Sequence, residues 1–306
     1  MNFPFKGSHL KNENLAKWVA FRVGGPAEHF FMPHNEADVR ACIDYAHQEK
    51  LPLQVLGSGT NLLIRDGGVK GMVLYLGAGL HGDVEILEEN DAGLLLRVPG
   101  HWPKAKLLSL ALKKSWAGLE FSAGIPGTLG GAVYMNAGTK WGSYGDVVEK
   151  VRLYSSTLGL VEQSKEQMKF TYRGHGEGLL ANGSVVLSVD LRLKKRNLND
   201  IRKLVDEILS YRGSKQPLEL PNCGSVFKNP ESSEKGAGRL IESCGLKGLT
   251  VGRAQISLKH ANFILNLGGA KASDIESLIQ MAQEKVDEKF KIKLEPEVII
   301  LGRALS

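Results

Sequence analysis

The chain has 306 residues, 42% hydrophobic and 24% charged, and carries a formal net charge of +6. This is the composition of an ordinary globular protein with room for two or three domains, which excludes disordered and collagen-like classes. Lys and Arg are dispersed among acids, so no nucleic-acid tract is indicated, and a small anionic substrate accounts for the basic excess equally well. Three scattered cysteines, Cys42, Cys223 and Cys244, form no C-x-x-C. That argues against a zinc ribbon or a disulfide framework and for a reducing, cytoplasmic compartment, and no metal site is expected. The first residues lack an apolar targeting core and no run of 18 apolar residues occurs, so neither secretion nor a membrane span is expected.

In chain order, Ala20–Ala27 reads as a short strand ending in a Gly-Gly-Pro turn. Asn35 is placed as the N-cap of a helix to about Lys50, with Val39, Cys42, Ile43 and Ala46 on its apolar stripe. That placement makes Cys42 a packed core thiol. Strands follow at Leu53–Leu56 and Met72–Leu76, then a hairpin of Val84–Glu89 and Leu94–Val98 across Asn90 to Gly93. Pro103–Trp116 reads as a basic helix, and Val147–Ser155, Leu160–Gln163 and Ser184–Leu193 as strands. A domain boundary falls near Arg196–Asn197. Asp200–Arg212 is amphipathic and helical, and a long Pro/Gly/Asn segment follows it. The remaining elements are a short helix at Gly238–Cys244, a strand at Asn262–Leu267, a helix from a Ser273/Glu276 capping box to about Lys289, and a closing strand Ile292–Leu301 interrupted at Pro296.

Two glycine-rich stretches stand out. Gly118–Gly138, GLEFSAGIPGTLGGAVYMNAG, leads through Gly127, Thr128, Gly130 and Gly131 into a helix-compatible run. Such a turn aims N–H groups and the positive helix end at one point, which suits a phosphate; a buried crossing between layers is the alternative. Gly57-Ser58-Gly59-Thr60-Asn61 is a second small-residue turn with the composition of an anion nest. Two such turns suit the two phosphates of a dinucleotide. Neither fits the Rossmann fingerprint, and no P-loop motif occurs.

Three places carry polar groups that packing does not require. Arg173, in Phe170–Arg173, is a permanent cation able to stabilise developing negative charge, or a surface ion-pair member. Ser225 follows Gly224, so its hydroxyl is either openly presented or a turn cap, and Lys228 and Asn229 beside it suit phosphate or sugar. Glu295 and Glu297 flank Pro296 in an apolar segment. Burial there would raise a carboxyl pKa into a useful acid range, and strand alternation does not choose between the two. Cys223 has no partner His or Asp by spacing, and His260 is a ligand donor or a structural histidine.

Taken in order, seven motifs resemble the UDP-N-acetylenolpyruvoylglucosamine reductase (MurB) family, in its shorter second type. They are Arg22–Ala27, Gly57–Leu63, Ala123–Gly131, Tyr172-Arg173, Gly224–Pro230, Lys259–Phe263 and Glu297-Val298, spanning Arg22 to Gly302. The resemblance implies an α+β chain: a two-subdomain FAD-binding fold of the vanillyl-alcohol-oxidase (PCMH) type, plus a C-terminal α/β substrate-binding domain. It divides the chain at residues 1–76, 77–207 and 208–306. It implies non-covalent FAD, lined by Gly57, Ser58, Gly59, Thr60 and Asn61, by Ser122, Gly124, Ile125, Pro126, Gly127, Thr128, Gly130 and Gly131, and by Asn136 and Gly138. NADPH would reduce FAD and leave; UDP-N-acetylglucosamine enolpyruvate would follow. Hydride would pass from flavin N5 to C3 of the enolpyruvyl group. Arg173 and a protonated Glu297 would stabilise the enolate, and Ser225 would protonate C2. Tyr172, Arg212, Lys215, Gln216, Lys228, Asn229 and His260 would contact substrate. No nucleic-acid partner is implied, and a monomer is compatible with the reading. The chain departs from the family pattern at His175, where Ser is usual, at Lys140–Ser143, where a Tyr-Gly-Gly-Glu-like run is usual, and at Ile299, where Arg is usual. A sugar or alcohol oxidase of the same fold and a nucleotide-sugar sensor are the competing readings.

Overall fold

The computed structural model describes residues 6–77, 79–91, 93–176 and 184–305. Its elements begin with β1 (Ser8–Asn14), β2 (Pro26–Met32), α1 (Glu36–Gln48), β3 (Leu53–Leu56), β4 (Leu62–Ile64), β5 (Val69–Tyr75), β6 (Glu85–Asn90), β7 (Gly93–Pro99), α2 (Lys104–Lys114) and β8 (Trp116–Ala117). The middle of the chain forms α3 (Leu129–Tyr134), β9 (Gly138–Thr139), β10 (Gly142–Ser143), α4 (Tyr144–Val147), β11 (Val148–Ser155), β12 (Gly159–Ser164), α5 (Lys165–Met168) and β13 (Val185–Lys195). The last third forms α6 (Leu198–Lys215), α7 (Ala237–Ser243), β14 (Thr250–Val251), β15 (Ala254–Ile256), β16 (Ile264–Asn266), α8 (Ala272–Phe290) and β17 (Ile299–Leu301). No helix among the described residues is long and apolar enough to cross a membrane.

The chain forms two compact units, neither contiguous in sequence. One holds the residues through Leu10, Phe30–Ser58 and Gly71–Tyr211; the other holds Lys11–His29, Gly59–Lys70 and Arg212 onward. The first is built on the antiparallel path β12-β11-β13-β7-β6. Its middle strand, β13, reads VVLSVDLRLKK, apolar at its start and alternating from Ser188 on, and its first seven residues are buried because it is covered on both sides. Val189, Leu191 and Leu193 enter one core with Leu94, Leu96, Phe121 and Tyr144. Val185 and Leu187 enter another with Val39, Cys42, Ile43 and Ala46 of α1. Register is pinned where Arg97 lies opposite Asp190, with both guanidinium–carboxylate bonds at 2.8 Å.

In the second unit, α8 lays Ile275, Leu278, Ile279, Ala282 and Val286 into a core with Phe21, Leu63, Phe227, Leu240 and Val298. β17 runs parallel to β4, pairing Ile299 with Leu62 and Leu301 with Ile64. The start of α8 is held from outside the helix. The Asp66 carboxylate accepts from Ala272 N (2.8 Å) and Ser273 N (3.0 Å), meeting two of the amides that a helix start leaves unpaired.

Several elements differ from their sequence reading. The Ala20–Ala27 strand is replaced by β1 and by β2, which starts at Pro26. The basic helix stops at Lys114 because Ser115 turns left-handed (φ 57°) and Trp116 pairs with Lys195. Ser273 lies inside α8 rather than capping it, and Glu276 bonds Arg65 at 2.9 Å instead of closing a box. The strand expected at Asn262–Leu267 spans Ile264–Asn266. Of Ile292–Leu301 only the last three residues form strand, since Pro296 has no N–H to donate to a ladder. Asn35 does cap α1, accepting from Asp38 N at 2.9 Å. Replacing the α8 cap by Asp66→Ala is expected to lower stability by about 1–2 kcal/mol. Urea denaturation measures this, and an unchanged midpoint would contradict the capping role.

Candidate active site

Ser225 sits in the second unit on an irregular segment. Gly224 before it adopts φ +84°, a conformation a side chain would strain, and this turns the chain after the buried Cys223. The segment is then held on two sides. Asn262, itself buried, donates from Nδ2 to Phe227 O (2.8 Å) and accepts at Oδ1 from Phe227 N (2.9 Å), while its own carbonyl accepts from Val226 N (2.9 Å). On the other side Phe227 bridges Pro296, and Lys228 N donates to Glu295 O at 2.9 Å. Glu297 N donates to Val226 O at 2.7 Å. The residues flanking Ser225 and the backbone of Glu297 are therefore joined directly.

The two glutamates part company here. Glu295 is exposed and pairs with Lys228 Nζ at 2.6 Å. Glu297 is half-buried, and Asn61 Nδ2 donates to its carbonyl at 2.9 Å. Burial first, and then the Glu297 charge, push the Cys223 thiol well above its ordinary value, so it stays protonated. His260 Nδ1 accepts from Asn262 N (3.2 Å). Burial and then Lys247 lower its pKa from the ordinary 6.5, so the neutral ring keeps its proton on Nε2, free to donate. Lys259 Nζ reaches Gly213 O at 2.7 Å, which brings Arg212, Lys215 and Gln216 beside the His260 loop. Burial also lowers the Arg212 pKa. Asn229 Oδ1 accepts from Ala237 N at 3.0 Å, capping α7.

In the first unit Gly57 meets Thr128. A Cβ on Gly57 would lie 2.6 Å from Thr128 Oγ1, so the close approach requires glycine there. The simple picture of free N–H groups at the start of α3 does not hold. Leu129 N donates to Trp102 O (2.9 Å), Gly130 N to Gly100 O (2.7 Å) and Gly131 N to Thr128 Oγ1 (3.4 Å). The donors left at the turn precede the helix: no described residue accepts from the Gly127 or Thr128 amide. Lys104, which sequence reasoning missed, is buried beside them. Its N–H donates to Gly127 O (3.0 Å) and its ammonium lies 5.9 Å from the Tyr144 ring centre. Two turn amides and the Thr128 hydroxyl make a donor set that fits an anionic cofactor such as a dinucleotide. Ser122 Oγ donates to Leu119 O at 2.7 Å, and Gly138 lies where a Cβ would strike Gly142 O at 2.6 Å.

Arg173 is also in this unit. Thr171 N donates to Gly174 O (3.0 Å) and Gly174 N to Thr171 O (3.3 Å), closing a turn with Tyr172 and Arg173 at its tip. The guanidinium stacks 5.0 Å from the Tyr172 ring centre. His175, which follows, meets Tyr134 of α3 edge-on at 5.4 Å. The structure thus gathers Ser225, Glu297, Asn61, Lys228 and His260 in one unit, and Gly57, Thr128, Asn136 and Arg173 in the other. Asn262 lies inside the Lys259–Phe263 motif, which by itself assigns it no role, and Lys104 escaped sequence reading because a lone Lys carries no local pattern.

Comparison with known proteins agrees with this chemistry. Residues 27–162 match a family described as FAD binding domain, and residues 216–301 match UDP-N-acetylenolpyruvoylglucosamine reductase, C-terminal domain. The UDP-N-acetylenolpyruvoylglucosamine reductase of Listeria monocytogenes is 40% identical over 98% of this chain and 98% of its own length. That of Latilactobacillus sakei is 39% identical over 95% and 93%. The crystal structure of the Thermus caldophilus enzyme superposes with a TM-score of 0.78 at 33% identity, covering 97% of this chain and 99% of that one. The chain is therefore an α+β enzyme with FAD as its cofactor, and it belongs to the UDP-N-acetylenolpyruvoylglucosamine reductase family of oxidoreductases.

Proposed function

We propose that this enzyme uses NADPH to reduce the enolpyruvyl group of UDP-N-acetylglucosamine enolpyruvate to UDP-N-acetylmuramate, in the cytoplasm, for peptidoglycan precursor synthesis. The observation that carries the reading is the direct tie between the Ser225 segment and Glu297, with Glu295 drawn off by Lys228. When bound, FAD supplies hydride chemistry. The chain supplies positioning and charge. The division into residues 1–76 and 77–207 for the cofactor and 208–306 for the substrate is kept as the functional reading.

Arg173 acts as the fixed cation for the carboxylate side of the substrate, where negative charge grows as C3 becomes saturated. A guanidinium loses no charge at working pH and presents a planar donor fork. Glu297 presents its carboxyl to the same developing enolate. Ser225 gives its hydroxyl proton to C2. A Ser hydroxyl is a weak acid, so the step depends on holding it roughly 3–3.5 Å from a strongly basic carbon. The rigidity of the Val226–Phe227 clamp supports that role. His260, with Nδ1 taken by a backbone amide, and Lys228, Arg212, Lys215, Gln216 and Tyr172 are assigned to the sugar nucleotide. Asn229, whose Oδ1 caps α7, is assigned to the same ligand.

With FAD bound, the protein is expected to oxidise NADPH when given the enolpyruvyl substrate. Failure to turn over, or oxygen uptake with a polyol and no NADPH, would overturn the assignment. Ser225→Ala is expected to lose turnover by about 10²–10⁴-fold while NADPH still bleaches the flavin absorbance; unchanged turnover would remove Ser225 from the chemistry. His260 gives a pH test. Its folded pKa lies below the ordinary 6.5, so as pH drops through 6.5 the unfolded chain binds more protons and stability is lost toward acid. His260→Asn should flatten that slope in denaturation midpoints measured across this window. An identical slope would show that other groups carry it.

A further inference from the structure

We propose that Asn136 is a positioning residue for Arg173, holding the turn that presents the guanidinium rather than contacting cofactor. The inference rests on the assignment of Arg173 above. Asn136 is buried, follows α3, and has both side-chain polar atoms committed within the protein. Its Nδ2 donates to Thr171 O at 2.8 Å, and its Oδ1 accepts from Gly145 N at 2.8 Å. Thr171 O is thereby saturated, since it also accepts from Gly174 N at 3.3 Å.

The turn needs such a hold. Arg173 sits at φ +56°, left-handed for a residue with a side chain, a conformation that persists only when its surroundings enforce it. Asn136 bonds the carbonyl at the turn's first residue. Gly145, the other partner of Asn136, leaves room for Phe170: a Cβ there would lie 2.9 Å from Phe170 Cβ. One amide side chain therefore ties the first residue of the turn to Gly145 of α4, and Phe170, just before the turn, packs against that same glycine. Asn136 is itself left-handed (φ +40°), which asparagine tolerates better than most residues. Loss of the Nδ2 donor would leave Thr171 O under-satisfied and let the turn relax, moving the guanidinium away from the charge it must meet.

Asn136→Asp tests this, because it keeps the acceptor for Gly145 N and removes the donor to Thr171 O. The expected result has three parts. FAD affinity, read by quenching of flavin fluorescence, stays within about twofold, and NADPH-driven flavin reduction is unchanged, whereas kcat for enolpyruvyl reduction falls about 10–100-fold. In an Arg173→Ala background the same substitution changes kcat by less than about twofold, because the two act as one unit. If Asn136→Asp fails to fold, Asn136→Gly carries the same measurements, since glycine accepts φ +40° without strain. Weakened FAD binding, an unchanged kcat in a folded variant, or an undiminished effect in the Arg173→Ala background would overturn the inference alone. Full turnover by Arg173→Ala would overturn the role of Arg173, and this inference with it.

Discussion

The groups proposed for catalysis sit on backbone that is neither helix nor sheet, and that backbone must still satisfy its peptide groups. Asparagine side chains do this in three places. Asn262 takes both polar groups of Phe227, Asn61 takes the Glu297 carbonyl, and Asn136 takes the Thr171 carbonyl. An amide side chain offers one acceptor and two donors, so it can stand in for a strand neighbour where no strand can run. Pro296 is the reason no regular strand runs beside Phe227, and a left-handed Arg173 is the reason none runs through its turn. Each clamp converts an irregular segment into a defined one, which proton transfer and charge stabilisation both require.

Charge is sorted by the same contacts. Lys228 pairs with Glu295 at the surface, whereas the carboxyl of Glu297 is half-buried. Cys223, close enough to feel that charge, remains a protonated thiol in the core and offers no competing nucleophile. His260 is held neutral by burial with its tautomer set by a backbone amide, which suits a donor to a ligand oxygen. In the other unit the buried Lys104 holds the Gly127 carbonyl through its backbone N–H and carries its ammonium 5.9 Å from the Tyr144 ring centre. Charges of this kind act strongly because water is largely excluded from them.

Much of the candidate site was legible because it is written in short contiguous motifs. Gly57 and Thr128 were singled out as glycine-turn residues, and the reason Gly57 must be glycine proved to be Thr128 itself. The phosphate argument from free amides at the start of α3 does not hold for the helix itself. Three of its amides are consumed by Trp102, Gly100 and Thr128, which no local pattern reveals. The Ser273 cap failed for a similar reason: a distant carboxylate, Asp66, met the helix start first.

The sequence by itself determined where amphipathic stripes and apolar runs would be buried, as in α1, α8 and β13. These depend on periodicity within a few turns, and burial of one face follows from it. It also determined which loops must hold glycine, proline or asparagine. Only the tertiary structure decided which of two glutamates is withdrawn from solvent, which amides remain to bind an anion, and which asparagine holds which turn. Those outcomes depend on partners far apart along the chain, where a hydrogen bond forms only after both ends have been brought together by packing.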